Sequence, residues 1–178
     1  MLTDLITEET VQIIDKKVNW KEAFEILAAP LVKNGSIEPR YIDAMINRIE
    51  ELGPFINLGK GIAIPHARPE DGVTKKAMGL LVLKEPIYLL DRDDQKIDVL
   101  FLIAATDNES HLEALQELTI FLRDDENISK LKKIENYSDF KNIVSEAKGE
   151  WYYVKNYGSL WIRTWNEFYG WNEYSIDS

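Results

Sequence analysis

Met78-Gly79-Leu80-Leu81-Val82-Leu83 and Val99-Leu100-Phe101-Leu102-Ile103-Ala104-Ala105 are two nearly continuous apolar runs, each bounded by polar residues. A strand wetted on one face alternates apolar with polar positions, so these runs predict central strands covered on both faces. The segments around them show a helical period instead. Asn19 with Glu22 reads as a helix cap, followed by Trp20, Phe24, Leu27, Ala28 and Leu31 at helical spacing and a stop at Asn34-Gly35. Pro39 suits the first turn of a second helix, in which Ile42, Met45, Ile46, Ile49 and Leu52 form an apolar row until Gly53-Pro54 ends it. Ser110-His111-Leu112-Glu113 reads as a capping box opening a third helix, with Leu115, Leu118, Thr119 and Leu122 as its buried stripe. Two shorter helices are expected over residues 126–134 and 138–148, with Gly149 as the stop. Helices alternating with buried strands imply an α/β layered domain.

A chain of 178 residues can bury roughly 70% of its unfolded surface, so a substantial core is available. No apolar run approaches the ~20 residues of a membrane-spanning helix, and no direct membrane insertion is expected. The early residues Asp4, Glu8 and Glu9 are acidic rather than basic and apolar, unlike a secretory signal, which makes the cytoplasm the default location. The absence of cysteine removes disulfides and thiolate metal sites and agrees with a reducing compartment. A net charge of −10 argues against nucleic acid as a partner, because that requires clustered Lys and Arg.

Composition breaks after Gly149. Residues 149–178 hold four of the five Trp, five of the eight Tyr and Phe168, without a long periodic run. The chain is therefore divided into a domain over residues 1–148 and an aromatic-rich extension over 149–178. An added hairpin or a wrap of amphipathic aromatics over the domain is the preferred reading of the extension. A vector-derived or frame-shifted tail and a docking surface are the alternatives.

With two histidines and no cysteine, candidate nucleophiles are few. His66 follows Gly61-Ile62-Ala63-Ile64-Pro65, where the proline fixes its own φ and keeps Ile64 extended, so the strand presents His66 at the sheet edge in a defined direction. A neutral imidazole there can take a phosphoryl group on one nitrogen while the other is held by a hydrogen bond. The competing reading is a turn histidine satisfied by a backbone carbonyl. His111, in the first turn of its helix, lies where backbone N–H groups and the helix dipole favour an anion, or else is an ordinary exposed residue. No His-x-x-x-His or cysteine pair points to a metal.

Gly61 to Arg68, the following Pro69-Glu70-Asp71-Gly72, the upstream Leu52-Gly53-Pro54, and Asp107 through Leu115 together resemble the enzyme IIA domain of the mannitol/fructose type in the sugar phosphotransferase system, closest to its ascorbate-type branch. The resemblance spans residues 2–148. It implies a mixed, mostly parallel central sheet flanked by helices. It also implies phosphoryl transfer from phospho-HPr to His66, with His111 as the neighbouring histidine that contacts the phosphoryl group. Onward transfer would go to a cysteine of a separate IIB protein working with a IIC permease, without a cofactor, for ascorbate or a related sugar. The mannitol members carry an arginine in the helix before the motif, a place that Arg48 takes with a different spacing to the histidine. Arg68 is the other candidate to balance phosphoryl charge, and backbone donors near Ser110 and His111 would serve the equatorial oxygens. A regulatory phospho-sensor that binds a transcription regulator or other target is the alternative function.

Overall fold

A computed structural model of the chain describes residues 2–148, 161–166 and 170–175. A short helix α1 (Leu2–Leu5) leads into strand β1 (Val11–Ile14), then helices α2 (Trp20–Lys33) and α3 (Arg40–Leu52). Short strands β2 (Asn57–Gly59) and β3 (Ile62–Ala63) precede the long strands β4 (Ala77–Tyr88) and β5 (Lys96–Ala104). Helices α4 (Asn108–Phe121), α5 (Asp125–Leu131) and α6 (Tyr137–Lys148) follow, and strands β6 (Trp161–Asn166) and β7 (Gly170–Ser175) form a separate two-stranded sheet.

The main sheet runs β1-β4-β5-β3-β2, with both apolar runs at its centre. Alternate residues divide between two cores. Ala77, Leu81, Leu83, Leu100, Leu102 and Ala104 join α2 and α3 on one face. Met78, Leu80, Val82, Val99, Phe101 and Ile103 join the layer containing α1, α4, α5 and α6 on the other. This double cover is why neither run alternates. On β4 the gap left by Gly79 lets α2 pack close, since a Cβ there would stand 3.2 Å from Leu31 Cδ1 and 3.3 Å from the Leu27 carbonyl oxygen.

The sheet is mixed, as expected, yet not mostly parallel. β1 with β4 and β3 with β5 are parallel, whereas β4 with β5 and β2 with β3 are antiparallel. Residues 89–95 between β4 and β5 are too few for a parallel crossover, which needs about a dozen, so the two longest strands must form a hairpin. Apolar continuity reports cover on both faces and says nothing of direction.

The Asn19 cap is present, with Glu22 N–H donating to Asn19 Oδ1 at 2.9 Å and Asn19 Nδ2 donating back to Glu22 at 2.8 Å. In α3 the buried row is Tyr41, Met45 and Ile49, and Leu52, expected inside, is 63% exposed. Thr119 likewise lies exposed on α4, where Ala114, Leu118 and Phe121 are buried. α5 starts one residue earlier and ends three residues earlier than expected, and α6 starts one earlier. In the aromatic extension, β6 and β7 pair antiparallel from Trp161 opposite Ser175 to Asn166 opposite Gly170. Trp151 and the rest of 149–160 lie outside the described residues.

Candidate functional site

After β3 the chain passes through Ile64 and Pro65 to His66, and backbone bonds fix each step. Ile64 N–H donates to Ile56 O at 3.0 Å, and Ile103 N–H at the end of β5 donates to Pro65 O at 3.2 Å. Tyr41, fully buried on α3, completes the clamp. Its hydroxyl donates to Ile103 O at 2.7 Å and accepts the Ala67 N–H at 3.0 Å. Burial, reinforced by the charge of Asp71, pushes this hydroxyl up to about 12, so it stays protonated and remains a donor.

His66 Nδ1 lies 2.8 Å from Ile64 O. A carbonyl oxygen only accepts, so Nδ1 carries the proton and the neutral ring keeps its lone pair on Nε2. Both readings of His66 therefore meet in one ring: a backbone carbonyl satisfies one nitrogen and leaves the other nucleophilic.

β3 and β5 are parallel, with Ala63 beside Leu100, so their carboxyl ends open on the same edge. His66 leaves one strand there, and α4 begins four residues beyond the other. The two imidazoles meet with centroids 4.8 Å apart and planes tilted by 53°. Burial holds His66 below its ordinary 6.5, the nearby Arg48 charge adds to this, and the bond to Ile64 O opposes it. Burial and then the His66 charge lower His111 in the same direction. Both shifts favour the neutral ring at pH 6.5 and above.

Ser110 does not cap α4. The cap is Asp107, whose Oδ1 accepts the Ser110 N–H at 2.7 Å while its carbonyl accepts the His111 N–H at 3.1 Å. Asp107-x-x-Ser110 and Ser110-x-x-Glu113 both carry a capping pattern, and the earlier one wins because β5 ends at Ala104. The backbone donors expected at Ser110 and His111 are thus committed to the helix, which leaves the His111 imidazole as that element's contribution. The Ser110 bond is the main reason that the Asp107 carboxyl is held below its usual range.

Arg48 reaches the site. Its guanidinium carbon lies 5.6 Å from the centre of the Phe55 ring, and that ring stands perpendicular to His66 at 5.6 Å. Arg68 is exposed on the next turn, where its own N–H is held by Asp71 Oδ2 at 2.9 Å, and the arginine charge acting on His66 is that of Arg48. Among the described residues no group of three or more His, Cys, Asp and Glu side chains is arranged to hold a metal ion. No helix among them is long and apolar enough to cross a membrane. Sequence reasoning missed Phe55 and Tyr41. Tyr41 had a legible signal, since with Met45 and Ile49 it completes a row at i, i+4 and i+8 once tyrosine is counted as apolar.

The phosphoenolpyruvate-dependent sugar phosphotransferase system EIIA 2 family matches residues 4–147. The chain belongs to this family. It is a phosphotransferase component, a phosphoryl carrier. An ascorbate-specific PTS system EIIA component of Escherichia coli K12 is 30% identical over 148 residues, which cover 82% of this chain and 96% of the relative. The solution structure of the mannitol-specific cryptic phosphotransferase enzyme IIA of Escherichia coli is 31% identical, with a TM-score of 0.73 over 82% of this chain and 98% of the other. A 28% identical mannitol enzyme IIA of Escherichia coli, solved in complex with phosphorylated mannitol enzyme IIB, has a TM-score of 0.68 over 80% of this chain and 99% of that one. EIIA architecture thus accounts for the mixed sheet flanked by helices.

Because Tyr41 alone joins α3 to both the His66 segment and β5 through a hydroxyl, Tyr41→Phe leaves the Ala67 N–H and the Ile103 carbonyl short of a partner. Urea unfolding is expected to show a loss of about 1–3 kcal/mol, the usual cost of stranding buried polar groups. Wild-type stability would show that the clamp contributes nothing.

Proposed function

We propose that this chain works in the cytoplasm with His66 as the phosphoryl acceptor, charged by phospho-HPr and discharged to a cysteine of a separate IIB protein that serves a IIC permease. The observation that carries this reading is the Nδ1 bond to Ile64 O, which leaves the Nε2 lone pair free beside His111. In the transfer, the Nε2 lone pair forms the new N–P bond as the bond from phosphorus to the donor imidazole breaks, and the donor nitrogen keeps that electron pair. His66 retains its Nδ1 proton, so positive charge develops on the ring, and the Ile64 carbonyl is placed to stabilise it. Such transfers depend on positioning and on charge at the equatorial oxygens more than on covalent help. His111 and Arg48 supply that charge complement in this reading, with Ser110 and Arg68 outside it.

The likeness to an ascorbate-specific component supports ascorbate or a related sugar as the transported substrate. A complex of a mannitol IIA relative with its phosphorylated IIB supports a IIB protein as the next carrier. Incubation with enzyme I, HPr and phosphoenolpyruvate is expected to add one acid-labile, base-stable phosphoryl group by intact mass, absent in His66→Ala. Single-turnover transfer to His111→Ala is expected to be slower by roughly 10² to 10³, the scale of one lost charge-stabilising donor. Undiminished labelling of His66→Ala would overturn the assignment. A charged His66 that no IIB protein discharges would favour the regulatory alternative.

The carrier domain is proposed to be residues 1–148, with 149–178 as an accessory. Support comes from the family match over 4–147, which takes in both histidines and the whole main sheet. Truncation after Gly149 is expected to leave a folded protein that still takes a phosphoryl group on His66. A truncated chain unfolded by circular dichroism would place the aromatic segment in the core.

A further inference from the structure

Phe55 belongs to no regular element, yet its backbone is fixed. Gly53 ends α3 with φ of 86°, a left-handed conformation that a side chain would strain, and the chain turns back at once. Phe55 N–H donates to Gly53 O at 2.9 Å, and Asn57 N–H donates to Pro54 O at 3.1 Å. The turn leaves Phe55 41% exposed at the edge of the site.

Two groups meet this ring. The His66 imidazole stands perpendicular to it, and the Arg48 guanidinium carbon lies 5.6 Å from its centre. Arg48 Nε is shut off from solvent and has no hydrogen-bond partner among the described residues. A charged donor in that state is destabilised, and the aromatic face offsets this only in part. A carboxylate in the place of Phe55 would satisfy Arg48 fully, but it would neutralise the cation and repel an incoming phosphoryl group. An aromatic face holds the cation without consuming its N–H donors.

We propose that Phe55 is a positioning residue for phosphoryl transfer: its ring holds Arg48 beside His66 with donors unspent, and Arg48 exchanges the ring for phosphoryl oxygens when Nε2 is charged. The proposal rests on the reading of His66 as the acceptor. Three acceptor oxygens on Nε2 would supply the charge-assisted bonds that Arg48 lacks in the uncharged protein.

The test is a double-mutant cycle of Phe55→Leu and Arg48→Gln, with Phe55→Tyr as the variant that keeps an aromatic face. Leucine retains most of the apolar bulk against His66 and removes the π face that Arg48 meets. Phe55→Leu is expected to slow single-turnover transfer from phospho-HPr about tenfold, the scale of one cation–π contact. It is also expected to raise the His66 titration midpoint, followed by NMR, toward 6.5 as the Arg48 charge moves away. Phe55→Tyr should recover most of both effects, and in the Arg48→Gln background Phe55→Leu should change neither. Equal effects of Phe55→Leu in both backgrounds, or none in either, would overturn the proposal. The titration needs no phosphoryl donor, so it tests the placement of Arg48 by Phe55 even if His66 proves not to be the acceptor.

Discussion

Everything at this site depends on the backbone hydrogen bonds that immobilise residues 64–67. Pro65 cannot donate, so the segment is held through the Pro65 carbonyl by Ile103 N–H and through the Ala67 N–H by the Tyr41 hydroxyl. Those two contacts fasten the His66 backbone to β5 and to α3, the elements beneath it. With the main chain fixed, the Ile64 carbonyl is presented to His66 Nδ1, and that bond leaves the lone pair of the neutral ring on Nε2. Strain plays no part in this. The positive φ values near the site belong to glycines and to Lys60, whereas the presenting segment itself is held by ordinary hydrogen bonds.

The sheet supplies the remaining constraint, the meeting of His66 and His111. Two parallel strands side by side deliver their following segments to a common edge, where α/β proteins commonly place ligands. The antiparallel β4–β5 hairpin builds the two-faced core, while the β3–β5 pair builds the site. Asp107 then decides how far along α4 the second histidine falls. By capping at that position it puts His111 a full turn into the helix, with its own N–H bonded and only its imidazole turned to use.

Much of this was legible in the sequence because it is local. The Asn19–Glu22 cap, the Pro39 start, the Gly53 stop and the Pro65-His66 presentation each follow from a few neighbouring residues. What escaped is set by tertiary structure. Strand direction depends on connection length rather than on apolar content, so the apolar runs did not reveal that β4 and β5 are antiparallel. The choice between Asp107 and Ser110 as cap depends on where β5 ends, and two overlapping patterns cannot settle that. Phe55 and Tyr41 carry no motif of their own, and their roles arise only when α3, the turn after it and the His66 segment come together. Arg48 looked misplaced by its spacing to His66, yet folding brings its guanidinium beside the Phe55 ring.

The central claim is that the fold, through the Ile64 carbonyl, makes Nε2 of His66 the nucleophile. The most direct measurement is a long-range nitrogen–proton correlation spectrum of the uncharged protein on the alkaline side of 6.5, where the ring is neutral, repeated after charging by enzyme I, HPr and phosphoenolpyruvate. The account predicts a His66 ring protonated on Nδ1 before charging, with phosphorus coupled to Nε2 afterwards. A ring protonated on Nε2, or phosphorus attached to Nδ1, would contradict it.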